Sequence, residues 1–334
     1  MSIPEIHRAA VARALTAAFG TDVLDSVTPL SGGLSGALIL KIRVGGIAYV
    51  LRIEGARDAF RDPHRWYGCM RRAAEACLAP RVWCADPEDG VAVLDFIPER
   101  PMSTDYAGTR ADLIVELAQT VRILHQTPGF PPLVGYLDAM ESLLAPFRAG
   151  GIFAKGVLDD LLGRYARLAA LYSRLPADEV SSHNDLNPRN LLYDGRRIWL
   201  VDWESAFRTD RYVDLAALLN MFTADEAEAA LAVRTYFNRE PTPQEAARLQ
   251  LMRQINHVFY GVMFLSGAAA ERPGARFADL EAPPLGQLHR GISEGAFALD
   301  PWEGRVTYGK AHLAAARDGM AGPAFDQAAR VLAA

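Results

Sequence analysis

The stretch Ser181–Phe207, SSHNDLNPRNLLYDGRRIWLVDWESAF, decides how the middle of this chain folds. Within it, two short apolar runs flank Asp194-Gly195, a dipeptide that favours the tight turn of a β-hairpin. A hairpin brings its two open ends together, so Asn190, just before the first strand, and Asp202, just after the second, should lie on one rim. Asp185 stands on the loop that leads into the same rim.

The donor groups gathered at this rim are two carboxylates and one amide. Oxygen donors of this kind suit a hard cation such as Mg²⁺, which usually takes one or two carboxylates together with substrate phosphates. That leaves an acid free to handle a proton. The arrangement predicts a phosphoryl-transfer site; the alternative is that Asp and Asn, which favour turns on their own account, only cap the hairpin.

The first hundred residues have the pattern of a small sheet preceded by a short helix that ends at Gly20. Gly45-Gly46 supplies a two-residue turn between two strands of alternating or continuous apolar character. Asp62-Pro63 pairs an N-cap residue with proline at the first helical position, and begins a helix that should run to about Leu78. We expect that helix between the third and fourth of five strands: Ser26–Leu30, Leu38–Val44, Ile47–Ile53, Arg81–Ala85 and Val91–Ile97.

After Pro98 the chain changes to long amphipathic stretches that predict helices. These stretches cover residues 108–126, 154–174, 223–238 and 243–268, and we expect a loop with short helices from about Pro273. The predicted division is a sheet domain over residues 1–97 and a helical domain over residues 98–334.

Composition excludes several classes of protein. Lys and Arg number 35 against 40 Asp and Glu, a net charge of −5, which is the wrong sign for a protein held mainly by nucleic-acid phosphates. The three cysteines form no C-x-x-C pair, which argues against a disulfide framework or a zinc knuckle. No export signal or membrane-spanning run is evident, so we expect a cytoplasmic protein without a membrane or nucleic-acid partner. The oligomeric state stays open.

The run H-N-D-L-N-P-R-N, followed by D-W-E, resembles the catalytic loop and metal-binding aspartate of the kinase-like small-molecule phosphotransferases, the aminoglycoside phosphotransferase and choline/ethanolamine kinase group. The resemblance implies an α+β, protein-kinase-like bilobal fold, with a small antiparallel-sheet N-lobe and a larger, mostly helical C-lobe. It also implies ATP and Mg²⁺ as cofactors. Asp185 would then deprotonate the acceptor hydroxyl, while Asn190 and Asp202 would hold Mg²⁺ on the nucleotide phosphates.

The resemblance gives supporting roles to other residues of this sequence. His183 would orient the catalytic loop and Asp214 would brace it from below. Trp203, Glu204 and Tyr260 are candidate substrate contacts, since acidic and aromatic groups together favour an amine. Glu204 could equally be a solvated acid, and Tyr260 could belong to a helix face in the core.

On the nucleotide side, Gly32, Gly33 and Ser35 lie in a glycine-rich loop whose backbone amides could approach phosphates, although such a loop is as often only a turn. Asp95 and Ile97, at the end of the sheet, are where backbone groups would meet an adenine edge.

Arg52 lies in a strand that is otherwise apolar on both faces, so its charge calls for a partner, unless it snorkels from an edge strand. It occupies the place of the phosphate-pairing cation of kinase-like enzymes. The family usually supplies a glutamate from the following helix, but this helix has no acid at the expected turn. Asp62, Glu54 or Glu75 could substitute, or phosphate alone could steady the arginine.

The resulting hypothesis is an ATP-dependent kinase that phosphorylates a hydroxyl of a small metabolite: a choline- or ethanolamine-like amino alcohol, an aminoglycoside or a sugar. The alternative is a kinase-like protein that binds nucleotide without turnover. A protein kinase is disfavoured because the chain passes from Trp203 into the next helix, near Asp214, without a long activation segment.

Overall fold

A computed structural model describes residues 3–30 and 36–334. The chain divides into two compact units, Met1–Pro132 with Val180–Arg208, and Leu133–Glu179 with Thr209–Ala334. The first unit therefore contains both the N-terminal sheet and the whole of the Ser181–Phe207 stretch. The division at residue 98 stays a prediction. Among the described residues, no helix combines the length and apolar character needed to cross a bilayer.

The first unit is built on a five-stranded antiparallel sheet in the order β1-β2-β3-β5-β4. Its strands are β1 Ser26–Pro29, β2 Leu38–Val44, β3 Ile47–Ile53, β4 Val82–Asp86 and β5 Val91–Asp95. Its helices are α1 Arg8–Phe19, α2 Pro63–Glu75, α3 Met102–Asp105 and α4 Arg110–Gln126. All five predicted strands are confirmed, with ends that differ by up to two residues.

Local signals set several boundaries of these elements. Gly20 ends α1 in the left-handed conformation, and Gly45 and Gly46 both have positive φ in the β2–β3 turn. The Asp62 side chain accepts a hydrogen bond from the backbone of residue 64 and so caps α2. That helix ends at Glu75, earlier than predicted, and the chain soon turns through Cys77, whose φ is 58°.

The two faces of the sheet differ in burial because successive side chains of a strand point to opposite sides. One face packs with α1 into an apolar core that includes Leu40, Ile42, Leu51 and Val93, each at most 1% exposed. Ile39, Lys41, Val50 and Leu94 on the opposite face are only partly buried. The register places Arg52 on this second face, opposite Ile39 and Ala92.

The predicted hairpin is confirmed. The strands after β5 are β6 Glu179–Ser182, β7 Leu191–Tyr193, β8 Ile198–Leu200 and β9 Phe207–Asp210. β7 and β8 pair antiparallel, with Leu191 opposite Leu200. Asp194 shapes the connection, because its Oδ1 accepts hydrogen bonds from the backbone of residues 196 and 197.

The second unit is helical. Its helices are α5 Tyr136–Ala149, α6 Asp159–Leu171, α7 Tyr212–Phe222, α8 Glu226–Phe237, α9 Pro243–Glu271, α10 Leu285–Ser293, α11 Trp302–Gly319 and α12 Pro323–Ala333. The 29-residue α9 packs against α7, α11 and α12. The expectation of only short helices after Pro273 is wrong for the 18-residue α11. This helix packs closely against α9 where Gly309 meets Gly261. Because glycine has no apolar side chain, these contact positions add nothing to the apolar periodicity by which a helix is predicted.

Candidate active site

The loop before β7 holds the carboxylate of Asp185 with two amides. The side chain of Asn187 donates to Oδ1 at 3.0 Å, and the side chain of Asn190 donates to Oδ2 at 3.0 Å and to the Asp185 carbonyl at 2.9 Å. Asn190 is 6% exposed, whereas Asp185 is partly exposed. Both oxygens of this carboxylate accept hydrogen bonds and the side chain is partly exposed, so its orientation toward a bound ligand is fixed.

Asp202 stands at the other end of the hairpin. The backbone N–H of Val201 donates to the Asn190 carbonyl at 3.0 Å, so the two ends meet on one rim as predicted. Asp202 has φ 63° and ψ 69°, a left-handed conformation that is uncommon for residues other than glycine and that clusters at functional sites. Its side chain is 30% exposed.

Arg52 connects β3 to this rim. Its guanidinium donates from Nε to Glu54 Oε1 at 2.8 Å and from Nη1 to Asp202 Oδ1 at 3.2 Å, and Nη2 pairs with Glu204. Its Cζ lies 4.9 Å from the centre of the Trp66 ring. Burial opposes the charged form, but the nearby carboxylates of Glu54 and Asp202 outweigh it and raise the pKa of Arg52.

These contacts decide two alternatives that the sequence left open. Arg52 is 7% exposed, so it is not a snorkelling edge residue. Of the three acids considered as its partner, Glu54 makes the contact, while Asp62 caps α2. Glu204 is not a solvated acid, because its side chain is 13% exposed and pairs with Arg52.

Trp203 packs inside the first unit. It is 2% exposed, its ring lies 4.7 Å from that of His183 and 6.1 Å from that of Phe130, and its Nε1 donates to the Leu200 carbonyl at 3.3 Å. With so little exposed surface the indole fills the core beneath the loop, and the substrate contact predicted for Trp203 stays a prediction.

Two residues that the sequence reasoning did not single out hold the loop after Asp202. Asn184, at φ 66°, donates from its side chain to the Ser205 carbonyl at 2.8 Å. Arg65 of α2 donates to the carbonyls of Glu204, at 2.6 Å, and of Ala206. Burial lowers the pKa of Arg65. In the sequence, these residues are marked only by the position of Asn184 between His183 and Asp185 and by that of Arg65 in the first turn of α2.

His183 is fully buried, and its Nε2 donates to the Val201 carbonyl at 2.9 Å. Asp214 and Tyr260 belong to the second unit, where Asp214 lies on α7 with no exposed surface. Tyr260 is 6% exposed on α9, with its ring 5.3 Å from Phe259. The roles predicted for these three residues stay predictions.

Asp95 is the last residue of β5, and its Oδ1 accepts from Trp83 Nε1 at 2.7 Å; Ile97 follows outside the strand. The glycine-rich loop residues Gly32, Gly33 and Ser35 lie outside the described residues.

Comparison with known protein families identifies the family of this chain. The family model described as "Phosphotransferase enzyme family" (APH) matches residues 26–249, about two thirds of the sequence. The chain belongs to this phosphotransferase family. It is therefore a small-molecule kinase, as the resemblance implied. No curated protein sequence matches it significantly.

Several solved structures with similar folds are named as members of kinase or phosphotransferase families. A choline/ethanolamine kinase family protein from Mesorhizobium loti is 20% identical, with 98% of each chain covered and a TM-score of 0.69. The choline kinase LicA from Streptococcus pneumoniae, also solved with AMP, is 16% identical, with 87% of this chain and 99% of that one covered and a TM-score of 0.58. The macrolide 2′-phosphotransferase MphH from Brachybacterium faecium is 20% identical, with 87% and 98% covered and a TM-score of 0.57. These likenesses confirm the predicted α+β, kinase-like fold.

Proposed function

We propose that this phosphotransferase moves the γ-phosphoryl group of ATP, with Mg²⁺, to a hydroxyl of a small metabolite. The acceptor would be a choline- or ethanolamine-like amino alcohol, an aminoglycoside or a sugar; the relatives named above include choline and macrolide kinases. One observation carries the proposal. The buried cation Arg52, the left-handed Asp202 and the amide-held Asp185 meet around the rim of a single hairpin.

The half-buried face of the sheet supports the nucleotide end of this site. Ile39, Val50 and Leu94 form an apolar strip on that face, and Arg52 follows Val50 at the next position on the same side. A purine ring would pack on the strip, with its phosphates directed to the guanidinium. Asp95 and Ile97 would meet the adenine edge through their peptide groups, and Gly32, Gly33 and Ser35 would approach the phosphates.

The chemistry of Asn190 and Asp202 fits Mg²⁺. The side-chain nitrogen of Asn190 is committed to Asp185, which leaves its Oδ1 as the atom for a cation, and Asp202 offers a partly exposed carboxylate. The described residues contain no cluster of three or more His, Cys, Asp and Glu suited to a metal, so phosphates and water would complete the shell, as is usual for magnesium. When bound, the ion would neutralise charge on the phosphates.

Asp185 would act as the general base. Its carboxylate, oriented by Asn187 and Asn190, would accept the proton of the acceptor hydroxyl as that oxygen bonds to the γ-phosphorus and the bond to ADP breaks. Arg52 would hold the negative phosphates during the transfer. Since phosphoryl transfer depends mainly on positioning and charge neutralisation, these groups meet its chemical needs.

A nucleotide-binding protein without turnover is the weaker alternative. Its support was the missing helix glutamate, and Arg52 is instead paired with Glu54 and Glu204. Glu204, which pairs with Arg52, stays a proposed substrate contact, and the contacts predicted for the buried Trp203 and Tyr260 stay predictions.

An ADP-release assay with Mg-ATP tests the proposal. The panel should contain choline, ethanolamine, other amino alcohols, aminoglycosides, macrolides and sugars. We expect one acceptor class to raise ADP release well above hydrolysis, and Asp202→Ala to abolish the increase, while Asp326→Asn, at an exposed position on α12, leaves it unchanged. Wild-type protein that releases no ADP with any acceptor and binds no Mg-ATP would refute the proposal.

A further inference from the structure

The guanidinium of Arg52, at the proposed nucleotide end of the site, has a different carboxylate partner from the one that the family resemblance implies. The turn of α2 that faces Arg52 carries Trp66 and Tyr67 where a helix glutamate is usual. The acid is Glu54, which follows the last residue of β3, and its Oε1 accepts a hydrogen bond from Nε of the guanidinium at 2.8 Å.

This bond divides the guanidinium into two ends. With Nε fixed to Glu54, the two Nη groups face Asp202 and Glu204, at the rim where the phosphates are proposed to bind. The Trp66 ring lies 4.9 Å from Cζ and limits movement on one side. The direction in which Arg52 offers its Nη hydrogens is therefore set by Glu54.

Tyr67 ties this pair to α2. Its hydroxyl donates to the same Oε1 of Glu54 at 3.1 Å. The Glu54 side chain is 6% exposed, so it depends on protein donors rather than water. Burial, reinforced by the Glu54 charge, raises the pKa of Tyr67, so its hydroxyl keeps its proton and continues to donate.

We propose that Glu54 and Tyr67 are positioning residues for the nucleotide phosphates, acting through Arg52. Glu54 supplies the carboxylate from the position just after β3, and Tyr67 supplies the link to the helix, so that together they replace the helix glutamate of the family pattern. The inference rests on the proposed function in one respect, namely that nucleotide phosphates bind at Arg52.

The direct test is the Kd of ADP, measured by calorimetry with Mg²⁺ on the full chain, because it needs no acceptor. We expect Glu54→Leu, which removes the acceptor atoms at similar volume, to weaken binding about tenfold or more, and Glu54→Gln to recover part of the loss. Tyr67→Phe should weaken binding about threefold. Its matched control is Tyr106→Phe, since Tyr106 donates to Glu116 at 2.7 Å elsewhere in the same unit.

A purely structural role is separated by two further readouts. In an Arg52→Met background, Tyr67→Phe should have no added effect on ADP affinity, because its route to the phosphates is gone. The KM for the acceptor should stay within about twofold of wild type in Tyr67→Phe, while the KM for ATP rises. Should Glu54→Leu fail to fold, the Tyr67→Phe comparison still decides.

The outcomes are distinct. Wild-type protein that binds ADP while Tyr67→Phe and both Glu54 variants bind equally well would overturn this inference and leave the proposed function standing. Wild-type protein that does not bind ADP would overturn both.

Discussion

Replacing Arg52 by methionine tests whether the rim is held together by one buried cation. The substitution keeps most of the volume but removes the charge that faces Glu54, Asp202 and Glu204, whose side chains are 6%, 30% and 13% exposed. Three carboxylates would then face one another with little water to separate them. We therefore expect destabilisation of the first unit as well as weaker, but still measurable, nucleotide binding.

The magnitude follows from the burial of the partners. Removing one member of a buried ion pair typically costs about 3–5 kcal/mol, because the remaining charge is left uncompensated. For a unit of this size that corresponds to a fall in Tm of about 6–20 °C. A second substitution, Glu204→Gln in the Arg52→Met background, should recover part of the loss because it removes one of the unpaired charges.

Thermal unfolding followed by circular dichroism measures the effect, with Arg13→Met as the matched control. Arg13 also makes a bidentate pair, with Asp89 at 2.7 Å, but its side chain is 62% exposed and solvent screens the interaction. The reasoning is refuted if Arg52→Met lowers the Tm no more than Arg13→Met does.

Three further predictions concern packing, the catalytic loop and pH. Gly309→Ala should cost about 1–3 kcal/mol in urea unfolding, since its Cβ would lie 2.7 Å from a leucine Cγ on α9, whereas Gly267→Ala has nothing within 4 Å and should be neutral or stabilising; equal effects would count against a close α9–α11 crossing. Asn184→Ala removes the hydrogen bond to the loop after Asp202 and places alanine at a position with left-handed backbone conformation. Turnover should therefore fall even where the Tm changes by only a few degrees, and unchanged turnover would argue against a role of Asn184 in holding the loop. Burial, with a nearby arginine, lowers the pKa of His257 to about 3, and burial lowers that of His312 well below its usual value. As the pH is lowered, these histidines therefore take up protons in the unfolded chain before they do so in the folded one. At pH values below about 6.5, the free energy of unfolding should decrease by about 1.4 kcal/mol per pH unit for each histidine. A flat profile between pH 7 and 5 would contradict this.

Much of the local architecture could be predicted because local residues specify it. Gly45-Gly46, Asp62-Pro63 and the Asp194 turn carry their own conformational signals, and each proved to be a turn, cap or hairpin in the expected place. The spacing of Asn190 and Asp202 about a hairpin was sufficient to bring them to one rim.

The contacts that escaped prediction are long-range or lack an apolar pattern. The pairing of Arg52 with Glu204 joins residues 152 positions apart, and nothing local marks it. The burial of Trp203 depends on its contacts with Phe130 and His183, which no local pattern reveals.

The most direct test of the central claim is the turnover of Asp185→Asn with the acceptor found in the ADP-release panel. The amide keeps the shape of the side chain, and its one oxygen can still accept a hydrogen bond from Asn187 or Asn190, but it cannot take a proton. We predict a fall in kcat of about 10²–10⁴-fold, with the Kd of Mg-ADP within about twofold of wild type. A variant that keeps kcat within a few-fold of wild type would contradict the assignment of Asp185 as the base, and with it the proposed mechanism.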